Sequence, residues 1–332
     1  MPILFFRLRR GRNVTVSIKT LPCCPLQKKC GGCAYQGIPY EEQLREKENL
    51  VRKLLKGICD VEGIRGMEEP YHYRNKVNAT FKRLPGGRVI SGTYSEGSHR
   101  VVEVEDCLIE DERADAIIGD IRKLLPSFKI MIFNEDTGRG LLRHVLVRTG
   151  RKSGQVMVVL VLSSPVMPSK NNFVKELVRL HPEITTIVIN VNGRKTSMIL
   201  GNEERVIYGK GFIEDELLGI TFRISPKSFY QINPVQTEKL YSIAIEKAGL
   251  SAEDRVLDAY CGIGTISLIA AGHAGAVTGV ELNRDAVRDA INNAKTNGIR
   301  NVRFYADDAG RFMKQAAARS ERPDVVFMDP PR

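Results

Sequence analysis

Residues 234–329 alternate between helix-period and strand-period apolar spacing without a break, and no other feature limits the fold so strongly. Helical stretches at 234–248, 265–271, 284–296 and 310–318 are interleaved with strand-like runs at 255–259, 276–281, 301–306 and 324–329. Consecutive strands joined by helices must lie parallel, with right-handed crossovers. The predicted fold class is therefore α/β, a Rossmann-like doubly wound sheet of which this sequence supplies four strands.

In such a sheet, ligands sit outside the carboxyl ends of the strands. The first of those ends reads Asp258-Ala259-Tyr260-Cys261-Gly262-Ile263-Gly264-Thr265, where Gly262 and Gly264 let backbone approach a ligand closely. A dinucleotide fingerprint needs a third glycine three residues after Gly264, and Ser267 stands there instead. Glu281 ends the second strand, where a carboxylate can grip ribose hydroxyls, and Asp308 follows the third, within reach of an adenine. The fourth ends in Asp329-Pro330-Pro331-Arg332, which faces the same crevice. Asp258, Glu281, Asp308 and Asp329 on successive strand ends fit S-adenosylmethionine better than a nicotinamide dinucleotide.

The front of the chain carries different chemistry. Cys24, Cys30 and Cys33 crowd together with Cys23, and Gly31-Gly32 lets the backbone wrap so that two thiolates face one centre. Cys107, after the strand-like run 101–106, is the natural fourth ligand, and four thiolates suit either a [4Fe–4S] cluster or structural zinc. Cys59 reads as a core residue and Cys23 as a bystander. A helix over 40–56 shows Leu44, Val51, Leu54 and Leu55 at helical spacing, and Gly57 ends it. Residues 71–105 read as strands with turns at Pro85-Gly86-Gly87 and Glu96-Gly97. Beyond them, helices at 110–125 and 171–180 and strands at 143–149, 155–163 and 184–190 complete an α+β region.

Lysine and arginine exceed aspartate and glutamate by 50 − 39 = 11, which suggests a polyanionic partner. The excess is concentrated: residues 1–33 hold Arg7, Arg9, Arg10, Arg12, Lys19, Lys28 and Lys29 and no acid. Tyr73, Arg74 and Lys76 interleave a ring with cations, a pattern suited to stacking on bases and meeting phosphates of RNA. No apolar run reaches the roughly 20 residues of a membrane span, and the first residues lack a signal-peptide pattern, so the expectation is a cytoplasmic protein, taken as a monomer.

With these motifs assembled, the chain resembles the RNA uracil-C5 methyltransferase family, whose members act on 23S ribosomal RNA or tRNA. The resemblance rests on Cys24-x5-Cys30-Gly-Gly-Cys33 with Cys107, on Tyr73-Arg74-Asn75-Lys76, and on Ser228-Phe229-Tyr230-Gln231-Ile232-Asn233. It rests also on Asp258 to Gly264 and on Asp329 to Arg332, all in the family's order. It implies a [4Fe–4S] cluster on Cys24, Cys30, Cys33 and Cys107. It implies cofactor contacts from Gln231, Tyr260, Gly262, Gly264, Thr265, Glu281, Asp308 and Asp329, with Asp329 also holding the uracil and Arg332 meeting a phosphate. It further implies an RNA partner, with 23S ribosomal RNA placed before tRNA. The resulting division is a short basic segment (1–22), an iron–sulfur and RNA-binding α+β region (23–224) and part of a methyltransferase domain (225–332). Many ribosomal-RNA members begin with an oligonucleotide-binding barrel, for which the residues before the cysteines are too few.

Uracil C5 is a poor nucleophile, and in the family a cysteine thiolate adds to C6 so that C5 becomes enolate-like and attacks the sulfonium methyl. A base then removes the C5 proton and the thiolate leaves. The family's thiolate lies in a Ser-Cys-Asn-Pro stretch after Asp-Pro-Pro-Arg, and its base is a glutamate further on. Neither occurs before Arg332, and Cys261 reads as a packing residue. The expectation is thus a C-terminally truncated form that transfers no methyl group by itself. Two rivals remain: a methyltransferase acting on a base amino group, and a non-catalytic iron–sulfur RNA-binding protein.

Overall fold

The computed structural model describes residues 23–194 and 198–330. A single helical turn, α1 (Gln27–Cys30), ends at Gly31 in the left-handed region (φ +70°), and α2 (Tyr40–Leu54) follows. Seven strands then form one sheet: β1 (Lys76–Arg83), β2 (Val89–Tyr94), β3 (Val101–Glu103), β4 (Leu142–Thr149), β5 (Val156–Leu162), β6 (Ile184–Val191) and β7 (Glu203–Tyr208). Their order is β3-β2-β1-β4-β5-β6-β7, antiparallel except for β5 beside β6. That one parallel pair is the place where a crossover helix is needed, and α4 (Lys170–Leu180) supplies it.

One face of this sheet is covered by α3 (Glu112–Leu124) and α4. Ile117 and Ile121 of α3 and Phe173 and Leu177 of α4 bury against Val145, Val158, Leu160 and Ile187. Asp111 caps α3 by accepting the Arg113 backbone N–H at 3.0 Å. The opposite face is used differently along its width. At β4, β5 and β6 it buries Leu146, Val159, Val161 and Val188 against a hairpin of β8 (Ile213–Leu217) and β9 (Ile220–Ile224). At β1 it carries polar side chains instead, Lys76, Asn78 and Thr80.

The hairpin contributes Ile213, Leu217, Phe222 and Ile224 to a core that continues into the back half through Tyr230, Ile263 and Leu268. Its backbone is also tied to the back half: Asn293 and Asn297 side chains accept the N–H groups of Arg223 and Thr221 at 2.8 and 2.9 Å. The back half runs α5 (Pro234–Ala248), β10 (Arg255–Ala259), α6 (Thr265–Ala271), β11 (Ala276–Glu281), α7 (Arg284–Thr296), β12 (Val302–Ala306), α8 (Ala309–Ala318) and β13 (Val325–Met328). Its four strands are parallel in the order β12-β11-β10-β13, with Ala259 level with Val280 and Met328, so their carboxyl ends line up.

The expected doubly wound sheet is present with its four strands. Three features depart from expectation. Strands β7, β8 and β9 lie in 203–224, where none was foreseen; β7 exposes Glu203, Glu204, Arg205 and Val206, and such an edge strand has no apolar alternation to read. The stripe on α2 does not face a core: the helix buries no residue, and Leu50, Val51 and Leu54 stand exposed. Cys59 is exposed in the chain leaving α2, not a core thiol. Among the described residues no helix is long and apolar enough to cross a membrane.

Candidate functional site

The loop after β10 is built from left-handed backbone: Tyr260 at φ +69°, Gly262 at +56° and Gly264 at +83°. At its root Asp258 is buried and accepts a hydrogen bond from the Ser267 hydroxyl at 2.6 Å. Burial pushes the Asp258 carboxyl up to about 7, against the pull of the Ser267 bond. Gly262 donates its N–H to Glu281 Oε2 at 3.1 Å, while the other oxygen takes the Asn283 N–H at 2.8 Å. The carboxylate at the end of β11 is thereby fixed in direction. A Cβ on Gly262 would meet nothing within 4 Å, so this loop backbone faces open space; a Cβ on Gly264 would stand 2.9 Å from Phe304.

Across the crevice, the Gln231 amide donates to Asp329 Oδ2 at 3.3 Å, and Tyr241 shares a 3.4 Å contact between its hydroxyl and that of Thr265. Phe229 is 64% exposed at the mouth, presenting a ring to solvent. The segment carrying Phe229 and Gln231 is held from the front half. Asn75 donates to the Gln231 carbonyl at 3.0 Å, and buried Arg148 reaches the carbonyls of Pro226 and Ser228. Asp308 is exposed at the end of β12 and caps α8 by accepting the Arg311 N–H at 2.8 Å. Cys261 is buried, and burial pushes its thiol far up, so it stays protonated and packs, as its sequence context suggests.

These residues fit S-adenosylmethionine. A directed carboxylate on β11, open glycine backbone on the first loop and a polar Gln231–Asp329 wall converge on one cleft. Gln231, Tyr260, Gly262, Thr265 and Asp329 all line it; Glu281 is joined to it through Gly262, and Asp308 lies on the rim one strand further out.

The second cluster gathers around Tyr73. Burial raises the Cys33 thiol, with a further push from the charges of Cys30 and Cys24, and Glu110 acts on Cys33 and Cys107 alike. Burial raises Cys107 to about 12, and the Tyr73 hydroxyl is raised by burial and then by the nearby thiols of Cys33 and Cys107. The thiols of Cys24, Cys30 and Cys33 thus act on one another, whereas the charges that act on Cys107 are those of Glu110 and Asp115. Among the described residues no three potential ligands already stand at metal-binding distance.

The cluster changes the reading of the basic motif. Arg74 lies half-buried beside Cys33 and Glu110, with its backbone bonded to Ile109, and Tyr73 is half-buried between the thiols. Lys76 is lowered to about 8 by burial and then by the charges of Arg148 and Arg74. Asn75, read only as part of an RNA-facing run, is the hook that holds Gln231. Arg148 and Ser267 gave no signal in sequence, since each acts through a contact many residues away. Arg332, Pro331 and the basic residues Arg7, Arg9, Arg10, Arg12 and Lys19 lie outside the described residues.

The fold and the crevice are those of the S-adenosylmethionine-dependent methyltransferases, and a family described as a methyltransferase domain matches residues 250–330. Two bacterial relatives, both named uncharacterized RNA methyltransferase, extend the likeness to nearly the whole chain. One, from Clostridium acetobutylicum, is 42% identical over 95% of this chain and 70% of its own length. The other, from Halalkalibacterium halodurans, is 40% identical over 93% of this chain and 68% of its own. The chain belongs to this family of RNA methyltransferases. The crystal structure of Pyrococcus abyssi tRNA (uracil-54, C5)-methyltransferase, in complex with S-adenosyl-L-homocysteine, superposes with a TM-score of 0.73. That likeness covers 99% of this chain and 76% of the other at 24% identity, and it concerns the fold.

Proposed function

We propose that the chain serves methylation of uracil C5 in RNA, with S-adenosylmethionine bound in the crevice at the carboxyl ends of β10, β11, β12 and β13. The observation that carries this reading is the wall formed by Gln231 and Asp329, held from the front half by Asn75 and facing the glycine loop. When bound, the cofactor supplies an electrophilic methyl group on a sulfonium. Glu281 suits the ribose hydroxyls, Asp308 the adenine side, and Thr265 and Tyr260 the loop between. Asp329 presents an acceptor to a uracil N–H, and the Phe229 ring offers a face for the flipped base. Cys261 remains a thiol, so among the described residues no thiolate is supplied to C6, and the roles assigned here are binding and orientation.

The same reading assigns Cys24, Cys30, Cys33 and Cys107 to a [4Fe–4S] cluster in the cytoplasm, with Tyr73 and Arg74 beside it. Three experiments test it. Isothermal titration should show S-adenosylhomocysteine binding that Asp329→Ala weakens. RNA from cells lacking the gene should lose 5-methyluridine, and separating 23S ribosomal RNA from tRNA shows which fraction loses it, the ribosomal fraction being expected. Loss of a base methylated on an exocyclic amine instead would overturn the C5 assignment.

A further inference from the structure

Beside β1, β2 and β4 of the seven-stranded sheet lies a cavity that the methyltransferase crevice does not use. It measures about 170 Å³ and is lined by Thr80, Tyr94, His99, Phe133, Arg143 and His144 among others. That volume is well below the ~300 Å³ at which drug-sized sites begin, and it suits one flat ring. Thr80 and His144 face each other across antiparallel β1 and β4, on the same sheet face as the Lys76–Arg148 pair four positions away. The cavity therefore lies about 13 Å along β1 from the residues that border the Gln231 segment.

Its interior is polar yet electrically balanced. The bulge between Leu142 and His144 inserts Arg143, whose guanidinium lies over the Phe133 ring at 4.8 Å and pairs with Glu135 at 3.3 Å. Arg143 is 5% exposed, and its Nε has no partner. His144 is buried with one ring nitrogen at 3.1 Å from the Thr80 hydroxyl, which also bonds Tyr94; burial holds its imidazole neutral, lowered to about 4. Tyr94 and His99 stack edge to face at 5.7 Å. The rim carries two exposed cations, Lys82 and Arg83, together with two exposed acids, Glu135 and Asp136.

A compact interior with aromatic walls and paired polar groups, with Lys82 and Arg83 at its edge, matches an uncharged heteroaromatic ring carried on a phosphate chain. We propose that this cavity takes a second unstacked base of the RNA, a neighbour of the uridine held in the crevice, with Lys82 and Arg83 on the adjoining phosphates. The inference rests on the proposed RNA substrate and adds a recognition point for sequence beside the target.

The test uses a fluorescein-labelled, single-stranded, uridine-containing oligoribonucleotide and reads anisotropy for the full chain and for Tyr94→Ala, Phe133→Ala and Lys82→Ala/Arg83→Ala. Loss of one stacking partner should weaken binding about tenfold, with thermal midpoint and S-adenosylhomocysteine affinity unchanged. An abasic scan of the oligonucleotide should find one position beside a uridine whose removal costs the full chain affinity and costs Tyr94→Ala nothing further. Unaltered affinity in all three variants, with the full chain still binding RNA, overturns the cavity assignment. Failure of the full chain to bind RNA at all would instead overturn the proposed function.

Discussion

The Ser267 hydroxyl donates to the Asp258 carboxylate across 2.6 Å inside the root of the first βα loop, where neither side chain meets water. The bond favours the charged carboxylate, but burial outweighs it and sets the group near 7. An unfolded aspartate ionises near 3.9, so between roughly pH 4 and pH 7 the folded chain binds the extra proton. The stabilising contribution is complete below about 4 and is lost as the pH rises through about 7. Asp258→Asn should flatten this dependence, removing a slope worth on the order of a few kcal/mol across that window. Urea midpoints measured from pH 4 to pH 8 check it; an unchanged slope would place the titration elsewhere.

The two loop glycines should respond differently to the same substitution. Gly264→Ala brings a Cβ 2.9 Å from Phe304 on top of a left-handed backbone, and should cost about 2–5 kcal/mol of stability, the crowding adding to the backbone strain. Gly262→Ala meets no atom, so its cost should stay near the ~1–2 kcal/mol of the backbone alone. Its methyl instead enters the open cleft and should weaken S-adenosylhomocysteine binding. Denaturant melts and calorimetric titration of both variants separate the effects; equal outcomes would contradict the loop geometry.

Arg148 is a buried cation bonded to main-chain carbonyls of the segment that carries Gln231. Arg148→Met should leave those carbonyls without their donor and lower stability by about 2 kcal/mol. Cofactor affinity should fall with it, because Gln231 loses one of its supports. Normal affinity in a destabilised variant would show that Asn75 alone is sufficient to seat Gln231.

Substituting Cys33 should be felt across the cysteine neighbourhood. Anaerobically reconstituted protein should be brown, with visible absorbance that bleaches on reduction, and Cys33→Ser or Cys107→Ser should remove it. A colourless protein holding one zinc per chain would replace the iron–sulfur assignment with a structural zinc site.

Where function depends on strand ends, the sequence was readable, because the period of apolar residues in 234–329 fixes the elements and the elements fix the crevice. Glu281 at the end of β11 and Asp329 just after β13 follow from that period. What stayed hidden depends on contacts between distant segments. Asn75 looked like part of a basic, aromatic RNA-facing run, but its amide is taken by the Gln231 carbonyl 156 positions away. The stripe on α2 obeys helical spacing, yet Val51 and Leu54 stand exposed and Leu44 is only half-buried, since amphipathicity names a face and not its neighbour. The β8–β9 hairpin was missed because strands of five residues, partly charged, give too few alternations to register.

That hairpin has a consequence for how the chain is made. The sheet face formed by Leu146, Val159, Val161 and Val188 leaves the ribosome well before Ile263 and Leu268, which complete the core behind the hairpin. At ordinary translation rates the interval is on the order of ten seconds, far longer than strands of this size need to pair. During synthesis the nascent chain therefore presents an apolar sheet surface with only a two-stranded ribbon to shelter it. Pauses near residues 190–260 would prolong that state, and holdase chaperones should engage the chain there more than at any earlier point.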